Sequence, residues 1–352
     1  MKQPNPVTVR WALGLAGALA LCGLAFLIVR SAGSGDSDTP VRVSFQISTG
    51  STSGTYFPVG EFLAGLLSHP PGIGRCETEN VCAPAGLIVN TRTSEGSIAN
   101  VMSVNSGSAN SGLAQADVVD MAVKGEGPFR KAGPAKNLRT IANLYGEDVH
   151  LIAANDAKIL NVSDLRGKRV SISSEGSGTI VTARAVLRAY RLTERRIIPN
   201  YDTVDKAAEL FREGKLDAMF FVGGSPVTLV EQLLEQGVGV LIPIDGAGRD
   251  RLLKAEPYLS SHTIPQGIYA GTPPIDTVAM GALWITHDEQ PEDLIYGMVK
   301  ALYNPQNRDL INERGFGFDF LNVKNATSDA IAPLHAGALK FYREAGVAPP
   351  DS

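Results

Sequence analysis

Two short segments of this chain are equipped to hold a small anion. One reads Gly50-Ser-Thr-Ser-Gly-Thr55 and runs into Tyr56; the other reads Gly176-Ser-Gly-Thr179. Each follows a strand-like run and leads into residues with helical spacing. Glycine lets the backbone turn sharply and approach a ligand closely. Ser and Thr hydroxyls cap a helix start or bond a ligand. The first N–H groups of a helix have no partner inside it, and its dipole is positive at that end, so a carboxylate is attracted there. From the first loop we take Ser51, Gly54, Thr55 and Tyr56 as candidate ligand contacts. From the second we take Ser177, Gly178 and Thr179. A lone loop of this kind is often only a helix start; a pair, one in each half of the chain, carries more weight.

Other polar residues stand near strand ends or helix starts. Ser97 opens a helical run, and Asn100 lies one turn further, where its amide could reach a carboxylate or simply face solvent. Gln115 ends a short strand, so its amide is either a ligand contact or a strand-end hydrogen bond. Arg92 follows a strand, and a guanidinium pairs well with a carboxylate, but alternation does not say whether it faces a cleft. Tyr145 and His150 flank a point where the chain changes lobe, and His150 also reads as structural. Phe221 could wall a cleft or pack in a core. The signatures of other chemistries are missing. No Lys follows the glycines, as a nucleotide phosphate loop needs, and neither loop has the dinucleotide spacing. There is no Gly-x-Ser-x-Gly elbow and no His-Glu-x-x-His helix. We therefore expect no catalysis, no cofactor and no metal.

The elements that would position these residues alternate. Strands at Val41–Thr49, Leu87–Thr93 and Gly112–Ala116 are separated by helical runs at Phe57–Leu67 and Ser94–Met102. Leu138–Leu144 and Val149–Ala154 read as two further strands. The pattern restarts with a strand at Arg169–Ser173, helices at Ile180–Tyr190 and Val204–Gly214, and a strand at Ala218–Val222. A helix follows at Pro226–Gln236, then strands at Val238–Ile244 and Val278–Thr286, and helices after Pro291. Strands alternating with helices imply an α/β fold with covered sheets. A chain of 352 residues exceeds one ordinary core. We assign two lobes, residues 41–147 plus 272–346 and residues 148–271. The chain is expected to cross between them near Tyr145–Val149 and Gln266–Thr272. In open α/β sheets ligands sit at the carboxyl ends of strands, which is where both loops fall.

These segments resemble a known family. Ser48-Thr-Gly-Ser-Thr-Ser-Gly-Thr-Tyr-Phe-Pro-Val-Gly60, Thr93-Ser-Glu-Gly-Ser-Ile-Ala-Asn100 and Gly112-Leu-Ala-Gln-Ala-Asp117 are similar to segments of the TAXI solute receptors of TRAP transporters. So are Leu144-Tyr-Gly-Glu-Asp-Val-His-Leu151 and Gly167-Lys-Arg-Val-Ser-Ile-Ser-Ser-Glu-Gly-Ser-Gly-Thr179. The matches run in order along nearly all of the chain after its N-terminal segment. The Cys76–Cys82 insert and Glu95 depart from the usual form. The resemblance implies a two-lobe type II periplasmic-binding-protein fold. It also implies a small organic acid ligand, often an amino or keto dicarboxylate, delivered to a permease driven by an ion gradient. A receptor of an ABC transporter or a ligand-sensing receptor would share the fold.

The N-terminus bears on the compartment. Lys2 and Arg10 precede an apolar run from Trp11 to Val29, closed by Arg30, so residues 1–32 read as a signal peptide or a membrane anchor. Either places the rest in the periplasm, free or tethered to the inner membrane. Losing those three cations takes the net charge from −4 to −7, so nothing suggests nucleic acid. Apolar residues make up 44% of the chain and charged ones 19%, which fits a folded body, read as a monomer, rather than disorder. Cys76 and Cys82 are six residues apart, and in an oxidising compartment we expect them to form a disulfide.

Overall fold

A computed structural model describes residues 42–313, 321–328 and 331–349. The segment read above as signal or anchor lies outside them. Among the described residues no helix is long and apolar enough to cross a membrane.

The first part of the chain builds β1 (Val43–Ser48), α1 (Tyr56–Leu67), β2 (Leu87–Arg92), α2 (Ser97–Asn105), β3 (Ser111–Gln115), α3 (Ala116–Lys124) and β4 (Leu138–Ala154). The second builds β5 (Arg169–Ser171), α4 (Thr179–Ala189), β6 (Ile198–Asn200), α5 (Val204–Arg212), β7 (Ala218–Gly223), α6 (Thr228–Glu235), β8 (Gly239–Leu241), α7 (Gly246–Ala255) and β9 (Ser260–Ile264). The chain returns through β10 (Ile275–His287) to α8 (Glu292–Leu302), α9 (Arg308–Glu313) and α10 (Ala336–Glu344). Pro58 falls in the first turn of α1, where its missing N–H costs nothing. Pro226 does not open α6 as expected: the Ser225–Pro226 bond is cis and the helix begins at Thr228.

The strands form one sheet in the order β2-β1-β3-β10-β4-β7-β5-β6, with β8 on β4 and β9 on β10. β1, β2 and β3 are parallel, as are β5, β6 and β7, while β4 and β10 are antiparallel to each other. These two long strands change neighbours along their length. β10 pairs with β9 over Ile275–Ala279 and with β3 over Ala282–Thr286. β4 pairs with β10 over Leu138–Asp148 and with β7 over Asp148–Ala153. Where the sequence suggested two strands there is one, because Gly146 and Glu147 stay extended opposite Gly281 and Met280. Tyr145–Val149 lies inside β4, and Gln266–Thr272 lies in the turn before β10.

One apolar cluster joins β1, α1, β2, α8 and α10 around Trp284, whose indole N–H donates to Ser111 Oγ at 3.0 Å. Another lies between β7, α5 and α6. The largest runs from α2 and α3 to α4, β5 and β7, so it includes residues of both sequence-assigned lobes. Cys76 and Cys82 are disulfide-bonded, as expected.

Candidate functional site

A cavity of about 350 Å³ lies where the two glycine loops meet. That is within the range of small-molecule sites. The first loop ends at Thr55, just before α1; the second ends at Gly178, just before α4. The N–H groups of Tyr56, Gly178 and Thr179 have no acceptor among the described residues. Two helix starts therefore present unclaimed donors at one cavity, the arrangement that suits a carboxylate.

The two sides of the cavity are tied together around its edge. Gly96 adopts φ +123°, a conformation that favours glycine. A Cβ there would lie 3.3 Å from Ser177 Cα, so the backbones approach closely. Ala99 N–H donates to Gly176 O at 3.1 Å, and Gly176 N–H donates to the Glu95 carboxylate at 3.3 Å. Asp205, in the first turn of α5, accepts from Ser51 Oγ at 2.6 Å and from the Ser53 hydroxyl. Thr182 of α4 donates to Asp117 of α3 at 2.7 Å.

A buried polar chain runs along the wall. Gln115 Nε2 donates to Thr182 Oγ1 at 3.3 Å, and the Gln115 N–H donates to Ser97 Oγ at 3.2 Å. Ser97 Oγ is 3.2 Å from the Tyr56 hydroxyl, which donates to Glu147 Oε2 at 2.9 Å. Burial, with the nearby Asp117 and Asp148, holds the Glu147 carboxyl well above the usual range. Burial likewise raises Asp117 to about 7, against the opposing effect of its bond from Thr182. The Tyr56 phenol is raised by burial and by Glu147.

Of the ten residues singled out in the sequence, Ser51, Gly54, Thr55, Tyr56, Ser97, Gln115, Ser177, Gly178 and Thr179 line this cavity. Asn100 does not. It is fully buried behind the wall, donating to Thr49 O at 2.6 Å and Leu113 O at 2.7 Å while accepting from Ser94 Oγ. Its amide is consumed in joining β1 to β3. Ser51 lines the cavity, but its hydroxyl is engaged by Asp205. Arg92 is exposed at the end of β2 and does not line the cavity, although its neighbour Thr93 does. His150 is buried against the Tyr269 and Ser225 hydroxyls, at 2.8 and 3.1 Å, and burial lowers its pKa. Phe221 does reach the cavity while also packing in the β7 core. The sequence reading did not single out Ser94, Glu95, Glu147, Ser174 or Asp205, all of which line the cavity. Among the described residues no group of His, Cys, Asp and Glu could hold a metal ion.

The NMT1-like family model matches residues 47–346, which is most of the chain and both glycine loops. The chain belongs to this family. Several of the solved neighbours are described as periplasmic binding proteins. The periplasmic binding protein BugD is similar to this NMT1-like chain at 11% identity and a TM-score of 0.51, over 88% of this chain and 99% of that one. A structure described as a periplasmic transporter matches at 11% identity and 0.51, over 87% and 93%. The periplasmic aliphatic sulphonate binding protein SsuA from Escherichia coli matches at 16% identity and 0.46, over 87% and 79%. Identities this low speak for the fold alone. The expected α/β fold of the type II periplasmic binding proteins is the one observed.

Proposed function

We propose that this solute-binding protein is an extracytoplasmic receptor. It captures a small carboxylate-bearing molecule between its two glycine loops and hands it to the membrane subunits of a TRAP transporter. The observation that carries the reading is the pair of helix starts, α1 and α4, with unclaimed N–H groups at one cavity. Gly54, Thr55, Tyr56, Ser97, Gln115, Ser177, Gly178 and Thr179 are the proposed ligand contacts. Support for TRAP delivery comes from the sequence segments that resemble the TAXI receptors. Residues 1–32 would carry the protein to the periplasm or anchor it to the inner membrane. Residues 41–147 plus 272–346 and residues 148–271 would be the lobes, with β4 and β10 as the connection that flexes on closing. A ligand favours the closed form only through contacts that are better there, and bonds from both loops to one molecule meet that condition. The cavity is formed within one chain, which suits a monomer.

Titration calorimetry with a panel of small carboxylates tests the site. At least one should bind, and loop variants should weaken it; a panel with no binder would remove the carboxylate reading. Transport into vesicles holding the permease tests the partner. Uptake should follow an ion gradient without ATP, whereas uptake that needs ATP would make this an ABC-type receptor.

A further inference from the structure

Two helix starts account for one end of a ligand and leave Glu147 unexplained. It lines the cavity from β4 and is only 1% exposed. Oε2 accepts from Tyr56, while Oε1 has no hydrogen-bond partner among the described residues. No Lys, Arg or His lines the cavity. The other two charged residues there, Glu95 and Asp205, are exposed acids whose carboxylates already accept from Gly176 N–H and from Ser51 and Ser53. A buried carboxyl with an unclaimed oxygen and only acids around it requires either a proton or a cation.

We propose that the ligand is a zwitterion with a single carboxylate, whose ammonium group pairs with Glu147 while the two helix starts hold its carboxylate. The inference rests on the carboxylate reading above and narrows it. A dicarboxylate would bring its second negative charge toward Glu95, Glu147 and Asp205 with no cation to meet it. A keto acid would offer Glu147 no donor. An α-amino acid with an uncharged side chain meets both ends and adds no net charge.

The pairing has a proton consequence. The titratable groups that face Glu147 are Tyr56 on α1, Asp117 on α3, and Tyr145 and Asp148 on β4. Burial, with Asp117 and Asp148, favours a protonated Glu147 in the empty cavity, against the opposing effect of the bond from Tyr56. An arriving ammonium stabilises the carboxylate, so that proton passes to the buffer. A protonated Glu147 donating to a ligand carboxylate would release none.

The test is calorimetry at pH 6 in buffers of different ionisation heat, with neutral α-amino acids, keto acids and dicarboxylates of matched chain length. The expected result is tightest binding within the amino acids, with net proton release. Glu147→Gln, similar in size but unable to take a negative charge, should weaken the amino acids at least tenfold and narrow their lead over dicarboxylates. Tightest binding by dicarboxylates or keto acids, without proton release, would overturn the inference and leave the carboxylate reading standing. A panel with no binder of any class would end both. Should Glu147→Gln fail to fold, the wild-type ranking and proton count decide the question alone.

Discussion

Thr179 serves two purposes at once. It lines the cavity, and its hydroxyl also accepts the Val222 N–H at 3.3 Å, tying the start of α4 to β7. Thr179→Ala should therefore weaken ligand at least tenfold, about 1.4 kcal/mol. It should also lower stability by about 1–3 kcal/mol, because a buried N–H loses its partner. Thr179→Ser should restore most of both. Calorimetry and denaturant unfolding read the two effects separately, and wild-type affinity in the Ala variant would take this loop out of the site. Asp117 makes a different prediction. Its folded pKa is raised to about 7 from the ordinary 3.8. Between those values the unfolded chain loses a proton that the folded chain keeps, so stability falls as pH rises from about 4 to 7. Glu147 acts in the same direction. Asp117→Asn should flatten that fall by up to about 4 kcal/mol, at 1.36 kcal/mol per pH unit. Melting curves from pH 4 to 8 check it; parallel curves for the two proteins would be the contrary result. The residue types of the loops suggested an anion site, but sequence does not show which donors the protein itself consumes. Asn100 and Ser97 looked alike, yet Asn100 spends its amide on two strand carbonyls. Glu147 had a faint signal, a charge on the same strand face as Tyr145 and Val149, legible only once β4 is known to be continuous.

At the scale of elements, the alternation of strands and helices was clear in the sequence because each element must bury an apolar face with its own period. Both glycine loops fell between the strand and helix expected for them. The errors came where tertiary pairing overrode local pattern. β4 continues through Gly146 because β10 supplies its partners. Asp205 was not legible, since nothing within α5 shows that it meets Ser51, 154 residues earlier in the chain. Gly178 makes the strongest element-scale prediction. A Cβ at this position would fall 1.5 Å from Gln115 Oε1 and 2.6 Å from Ser97 Oγ. A branched side chain would thus force the start of α4 away from α2 and β3, not merely fill the cavity. Gly178→Val should keep its fold, yet bind more weakly than Thr179→Ala and show no compaction with ligand in X-ray scattering. Normal affinity would contradict this placement of the loop.

For the whole molecule, the wild-type protein should compact when ligand is added if the proposed lobes close over it; the bonds from Thr182 to Asp117 and from Ser51 to Asp205 would then join the two. Equal radii of gyration with and without saturating ligand would count against closure. Far from the cavity, the Cys76–Cys82 bond closes a short loop, so reducing it should cost only about 2 kcal/mol and leave affinity unchanged. Mass spectrometry of protein recovered from the periplasm should find no free thiol at either position. Gly146 faces Gly281 where β4 and β10 run side by side, and Glu147 is the next residue along. Should the lobes turn about this pair, Glu147 adjoins the axis and would travel little. Variants at Glu147 would alter which molecules are taken up, and variants in the loops how long the lobes stay shut.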